Sequence, residues 1–152
     1  MYSSPVTATD DLLKLENQLC FALVTAARNV VALYRPILEP LGLTHPQYLV
    51  MLALWERAPR TLNDLAMDLA LEPATASPLV KRLEAEGLVA RQRSSEDERR
   101  LEITLTAAGA ALRERAVDVP HQVMAAVGMG IDEIAALRDG LGPFAGRRPD
   151  LG

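Results

Sequence analysis

Residues 61–106 decide the fold of this chain, and they read TLNDLAMDLALEPATASPLVKRLEAEGLVARQRSSEDERRLEITLT. At the start of this stretch, apolar residues recur at helical spacing behind Thr61, whose hydroxyl can cap a first helical turn. After a break, Pro73 suits the first position of a second helix and Gly87 suits its C-terminal cap. The stretch therefore predicts two short helices in succession, the second running from Pro73 to Glu86.

The second helix has two faces of different chemistry. We expect a buried stripe on one face, made of Leu79, Val80, Leu83 and Leu88. The other face has small and hydroxyl side chains near the N-terminus and cations further along: Ala74, Thr75, Ser77, Pro78, Lys81 and Arg82. In helices that read DNA, short side chains near the N-terminus meet base edges, while lysine and arginine reach phosphates. The pattern therefore indicates a DNA-reading helix.

Two paired strands are predicted after this helix, Leu88–Arg93 and Leu101–Leu105, and Thr106 is placed to cap a further helix. Each motif alone has an ordinary explanation, because helix-turn-helix patterns arise by chance and charged loops are usually only solvated. The order of helix, helix, hairpin and helix favours DNA binding. We therefore expect a mainly α fold with a small β-hairpin, a winged helix-turn-helix.

The loop of the hairpin carries both signs of charge, and its DNA-binding candidates are Arg93, Asp97 and Arg99. An arginine at the tip, Arg99 or Arg100, is expected to enter the minor groove, where negative potential attracts guanidinium. Asp97 is better placed to hold a neighbouring arginine than to face phosphate. The loop is therefore interpreted as the wing.

Composition permits this function without indicating it. The chain has 152 residues, 49% of them hydrophobic, which suits one folded domain, and its net charge of −4 gives no global cationic field. Residues 1–10 lack the features of a secretory signal, and we expect no stretch of membrane-spanning length and no membrane partner. A single cysteine agrees with a reducing compartment, so a cytoplasmic location is expected.

A long helix is predicted from Asp10 to Tyr34 and ended by Pro36, with apolar residues on more than one side. Two further helices are predicted from Thr106 to Val119 and from Ile131 to Leu141. A single domain of this size would not cover so much apolar surface, so we expect a homodimer with interlocking terminal helices. Its two reading helices would then lie about one DNA turn apart on a palindromic site.

Another helix is predicted to begin at Thr44, which forms a capping box with Gln47. The chain has no Ser, His and Asp set at a recognisable enzyme spacing, and its two histidines and one cysteine lie far apart. We therefore expect no enzyme activity, no metal and no cofactor.

A family resemblance is carried by several segments: 15–23 (LENQLCFAL), 34–36 (YRP), 44–49 (THPQYL), 54–56 (LWE), 81–84 (KRLE), 95–99 (SEDER), 105–106 (LT) and 116–120 (AVDVP). In these segments the chain resembles the organic hydroperoxide sensing repressors of the MarR family. The resemblance implies a single MarR-like domain over residues 1–152, with dimerisation helices at 10–36 and 106–141 and a DNA-binding lobe at 61–106. It also implies an intertwined dimer that leaves double-stranded DNA when an organic hydroperoxide oxidises Cys20.

The chain departs from this family at two places. Family members often carry tyrosines where this chain has Val24 and His45, and it keeps only Tyr34. No second cysteine is present, so the chain resembles the one-cysteine type, in which a small cellular thiol caps the sulfenic acid. The redox-sensing candidates are therefore Cys20, Tyr34 and His45.

Helix geometry limits how these candidates meet. In the predicted helix, Cys20 lies about ten residues from the N-terminus, roughly 15 Å, too far for strong help from the helix dipole. Tyr34 lies about 21 Å further along the axis, so a tyrosine that contacts the sulfur must come from the partner chain. His45 either donates to the sulfur or faces solvent.

Three other functions stay open. Without the resemblance, a helical cysteine such as Cys20 is more often a small core residue. The repressor would then respond to an aromatic or phenolic ligand held between the dimer helices and the DNA-binding lobes. A thiol peroxidase is a second alternative, although no resolving cysteine or catalytic base accompanies the thiol. A dimerisation module without a nucleic-acid role is the third, and the basic wing argues against it.

Overall fold

The computed structural model describes residues 9–146, which are mainly helical with one small antiparallel sheet. The helices are α1 (Thr9–Leu12), α2 (Leu19–Leu38), α3 (His45–Glu56), α4 (Leu62–Asp68), α5 (Pro73–Ala85), α6 (Ala107–Ala116), α7 (Val119–Val127) and α8 (Ile131–Gly140). The strands are β1 (Arg60–Thr61), β2 (Val89–Arg93) and β3 (Leu101–Leu105). Short 3-10 turns occupy Leu15–Asn17 and Glu39–Leu41. Most of the segment considered for a secretory signal, residues 1–8, lies outside the described residues.

The predicted hairpin is confirmed, and a third strand was missed. β2 and β3 pair antiparallel, with Arg91 opposite Ile103. β1 pairs with the other edge of β3, so that Arg60 also lies opposite Ile103 and the strand order is β1-β3-β2. A strand of two residues is too short to show alternation in a sequence, because its formation depends on a partner far along the chain.

The core lies between α3, the DNA-binding lobe and the end of α2. Its large fully buried side chains include Leu38, Met51, Leu54, Leu65 and Leu83. These side chains come from α2, α3, α4 and α5. The helix predicted to read DNA, α5, is therefore anchored on the same core as α3.

The single helix expected from Asp10 to Tyr34 is wrong, because the chain forms α1, a 3-10 turn and α2 instead. The side-chain amides of Asn17 and Gln18 donate to the carbonyl oxygens of Asp11 and Leu12, at 2.6 and 2.7 Å. These bonds satisfy carbonyls that a continuous helix would pair internally, so the first helix stops and a second begins.

Pro36 does not end α2, which continues to Leu38. A proline inside a helix costs one backbone hydrogen bond, and the complete burial of Leu38 favours the extra turn. With the following 3-10 turn, the segment from Leu19 to Leu41 is long and apolar enough to cross a membrane. The expectation of no such stretch is therefore wrong, although length and composition alone do not place a helix in a membrane.

The C-terminal helices differ from the prediction in one place. The helix expected from Thr106 to Val119 is wrong in its extent, because α6 ends at Ala116 and α7 begins at Val119. Pro120 lies in the first turn of α7, where its missing N–H costs nothing, so it suits a new helix start. The helix expected from Ile131 to Leu141 is confirmed as α8.

Candidate DNA-binding surface and thiol site

The reading helix α5 has the two faces that the sequence predicts. Ala76, Val80 and Leu83 are buried, while Leu79 and Leu88 are partly buried against the core. The candidate DNA contacts are exposed at Ala74, Thr75, Lys81 and Arg82 and half-buried at Ser77. Small side chains therefore face solvent near the N-terminus of the helix, and cations face solvent two turns later.

The turns on either side of α5 agree with the predicted caps. The Thr61 side chain accepts a hydrogen bond from the Asp64 backbone N–H at 3.1 Å, which caps α4. Gly87 follows α5 with a φ of 79°, a left-handed conformation that favours glycine. The predicted start of the second helix at Pro73 is thus confirmed, and its predicted end at Glu86 lies about one residue beyond the observed end.

Hydrogen bonds within the wing hold its loop in one shape. The Ser94 hydroxyl is buried and accepts from the backbone of Glu96 at 3.2 Å. Asp97 accepts from both the backbone N–H and the Nε of Arg99, at 3.0 and 3.3 Å. Arg93 donates to the carbonyl of Glu98 at 3.1 Å. The prediction that Asp97 holds a neighbouring arginine is confirmed, and the Arg99 side chain that it holds is 92% exposed.

Two ion pairs that the sequence analysis missed connect the hairpin to the helices. Arg100 lies 3.9 Å from Asp64 on α4, and of the two arginines at the tip the side chain of Arg99 is the more exposed. Arg91 on β2 lies 3.4 Å from Glu84 on α5, which joins the wing to the reading helix. No local pattern signals either pair, because each joins residues that meet only after the chain has folded.

Cys20 is the second residue of α2 and its side chain is exposed in the single chain. The predicted position about ten residues into a helix is wrong, because the helix begins at Leu19. Free N–H groups at a helix start carry partial positive charge, which favours a nearby negative group. The neighbouring Leu19, Phe21 and Val24 are also exposed.

The other two redox candidates touch each other in the same chain. The rings of Tyr34 on α2 and His45 at the start of α3 lie edge to face, with centroids 4.8 Å apart. Tyr48, which the sequence analysis did not single out, lies 6.0 Å from Tyr34 and is buried. Burial raises the pKa of both tyrosines and lowers the pKa of His45. His45 is therefore half-buried against an aromatic ring and does not simply face solvent.

The predicted capping box positions His45. The Thr44 hydroxyl accepts from the Gln47 backbone N–H at 3.3 Å, and the Gln47 side chain accepts from the Thr44 N–H at 2.9 Å. The Gln47 amide also donates to Glu86 at 3.4 Å, so the start of α3 contacts the end of the reading helix.

A cleft of about 820 Å³ lies between α2, the start of α3 and the end of α5. Its charged lining comes from Arg28, Arg35, Arg82, Glu39 and Glu86, and His45 and Gln47 also line it. Among residues 9–146 there is no group of three or more His, Cys, Asp or Glu side chains that could hold a metal ion.

Comparison with known proteins gives the family. A model of the MarR family matches residues 43–101, which include α5 and the wing. Over 131 residues the chain is 41% identical to the organic hydroperoxide resistance transcriptional regulator of Bacillus subtilis (strain 168), covering 86% of this chain and 89% of that one. The chain belongs to the MarR family.

Two solved structures extend the likeness. AbfR of Staphylococcus epidermidis, in an overoxidized form bound to DNA, is 35% identical with a TM-score of 0.71, covering 90% of this chain and 96% of that one. BpsR of Bordetella bronchiseptica is 27% identical with a TM-score of 0.76, covering 86% and 94%. The winged-helix fold expected from the sequence is therefore confirmed.

The MarR family match does not cover every candidate residue. All of the candidate DNA contacts and His45 lie within residues 43–101, while Cys20 and Tyr34 lie before them. Cys20 and Tyr34 therefore lie on α2, outside the family match, in a helix that exposes several apolar side chains.

Proposed function

We propose that this chain is a homodimeric repressor that binds a palindromic operator through residues 61–106 and leaves it when an organic hydroperoxide oxidises Cys20. The exposed face of α5 and the ordered wing support the DNA contact, and AbfR, a related structure, is bound to DNA. We assign base edges to Ala74, Thr75 and Ser77 and phosphates to Lys81, Arg82 and Arg93. We assign Arg99, which Asp97 orients, to the minor groove.

Residues 10–36 and 106–141 are proposed to form the dimer. Both ends of the chain expose large apolar side chains that the rest of one chain does not cover: Leu12, Leu13, Leu15, Leu19, Phe21, Val24, Val30, Val31, Val117, Ile131 and Leu137. An apolar surface of this extent is typical of a protein interface. We therefore propose that a second copy of the chain, and not a membrane, covers the apolar surface of α2. The repressor would then act on DNA in the cytoplasm.

The sensing step is assigned to the sulfur of Cys20. Its thiolate attacks the outer oxygen of the hydroperoxide, the O–O bond breaks, and the products are a sulfenic acid and an alcohol after the alkoxide takes a proton. A small cellular thiol then condenses with the sulfenic acid, releasing water and leaving a mixed disulfide. Either product is larger and more polar than a thiol at an apolar interface.

Tyr34 of the partner chain is proposed to donate a hydrogen bond to that sulfur. Cys20 and Tyr34 lie on the same continuous helix, fourteen residues apart, which separates them by about 21 Å along its axis. A contact between them therefore needs two chains. His45, in edge-to-face contact with Tyr34, is proposed to support the same site.

The observation that carries the proposal is the exposed thiol at the start of α2, set among uncovered apolar side chains in a chain 41% identical to a hydroperoxide resistance regulator. The test uses a palindromic duplex selected by binding from a random library. Cumene hydroperoxide should release the natural protein, whereas Cys20→Ser should bind equally well and stay bound. Release of the serine variant would remove Cys20 from the mechanism.

A second candidate function is supported by the cleft between α2, α3 and α5. Arginines 28, 35 and 82 suit the carboxylate of an aromatic acid, and the structure of BpsR concerns regulation of DNA binding by 6-hydroxynicotinic acid. Titration of hydroxylated aromatic acids against the DNA complex under reducing conditions separates the two functions. Release without oxidation, and in the Cys20→Ser variant, would favour the ligand.

A further inference from the structure

Thr106 lies between the end of the reading helix and the start of α6. Its hydroxyl accepts a hydrogen bond from the Gly109 backbone N–H at 3.0 Å, which caps α6. The same hydroxyl donates to the carbonyl of Gly87 at 2.6 Å. The backbone N–H of Thr106 donates to the carbonyl of Leu88 at 3.1 Å. Thr106 therefore hydrogen-bonds both to the first turn of α6 and to the two residues that follow the cap of the reading helix.

The first turn of α6 is also held by close packing. A β-carbon added to Gly109 would lie 2.0 Å from the carbonyl oxygen of Leu88, so the two backbones already touch. On the other side, the Trp55 indole of α3 donates to the Gly109 carbonyl at 2.9 Å. The start of α6 is therefore fixed between α3 and the short segment that joins the reading helix to β2.

We propose that Thr106 is the positioning residue that transmits changes at the dimer interface to the reading helix. This inference rests on the proposed function, in which α6 belongs to the dimerisation region. Elements in such close contact move as one body, because packed interfaces do not deform continuously. A displacement of α6 carries Gly87 and Leu88 with it, and these two residues directly follow the C-terminal cap of the reading helix. The distance between the two reading helices of the dimer then changes when α6 is displaced.

The test compares variants that separate the cap from the link. Thr106→Val removes both hydrogen bonds of the hydroxyl, while Thr106→Ser keeps both. Thr106→Asp keeps an acceptor for the Gly109 N–H and lacks a donor for the Gly87 carbonyl. Thr61→Val is the matched control, since it removes the cap of α4 without touching α6.

Each full-length variant is titrated, reduced and after cumene hydroperoxide, against the selected duplex and against duplexes with half-sites moved by one base pair. Thr106→Val and Thr106→Asp should reduce the ratio of oxidised to reduced dissociation constants by about 2- to 30-fold. They should also flatten the preference for half-site spacing. Thr106→Ser and Thr61→Val should keep both the ratio and the spacing preference.

Two results would overturn the proposal. One is an equal loss of affinity in both redox states with unchanged spacing preference, which describes a helix cap and nothing more. The other is natural behaviour of the Thr106→Asp variant. If the natural protein stays bound after oxidation, the hydroperoxide function fails, and the spacing arm alone decides the role of Thr106.

Discussion

Tyr34 and His45 form an edge-to-face pair, with ring centroids 4.8 Å apart, that joins α2 to the first turn of α3. The contact packs the half-buried imidazole against the tyrosine ring within one chain. Any hydrogen bond that Tyr34 gives to Cys20 must reach the partner chain. The pair thus connects the proposed interface with the helix whose start contacts the reading helix through Gln47 and Glu86.

The first prediction concerns the Tyr34 hydroxyl. Tyr34→Phe keeps the ring contact with His45 and removes the donor, so oxidation of Cys20 by cumene hydroperoxide should slow about tenfold, as one lost hydrogen bond implies. Operator affinity before oxidation should not change. The rate is measured as loss of the free thiol in Cys20 peptides by mass spectrometry. Tyr48→Phe is the control, and equal slowing in both variants would indicate a general packing effect.

The second prediction concerns the wing. Arg99→Ala should weaken operator binding at least about fivefold, equivalent to about 1 kcal/mol, and lower the salt dependence of binding. The reason is that Asp97 already holds this exposed side chain, which we assign to the minor groove. Binding is measured across a salt series. Arg138→Ala removes the same charge at an exposed position of α8, outside the wing. If it has the same effect, net charge explains the loss.

The third prediction concerns pH. Burial lowers the pKa of His45 below its usual 6.5, so the unfolded chain binds this proton more readily than the folded chain. The contribution to stability is present above pH 6.5 and is lost as the pH falls through the lowered folded pKa. Urea unfolding from pH 8 to 5, at fixed protein concentration, should show a steeper acid loss for the natural protein than for His45→Asn. Parallel curves would contradict burial of the imidazole.

The fourth prediction concerns the contact beneath α6. Gly109→Ala should lower the free energy of unfolding by about 1–3 kcal/mol, because the added methyl overlaps the Leu88 carbonyl oxygen. Gly140→Ala on α8 has open space and should leave stability unchanged or raise it by up to about 1 kcal/mol. Urea unfolding of both variants checks this. A neutral Gly109 variant would mean that α6 can lift away from Leu88.

The DNA-binding lobe was predictable because its signals are local. Thr61, Pro73 and Gly87 mark helix ends through hydrogen bonds and backbone preferences that span only a few residues. The alternation of apolar and polar residues from Leu101 to Leu105 likewise predicted β3. By contrast, β1 depends on pairing with β3 more than forty positions later, and no local pattern indicates it.

What the sequence determined by itself was the order and type of the elements from 61 to 106, because helical periodicity, caps and strand alternation are short-range effects. Helical periodicity did not indicate where α2 begins, since the amide side chains of Asn17 and Gln18 take up carbonyls of α1 six residues earlier. That choice places Cys20 at a helix start and exposes it. The contact of Tyr34 with His45 was likewise decided by packing between helices, because burial brings together residues that the chain holds apart.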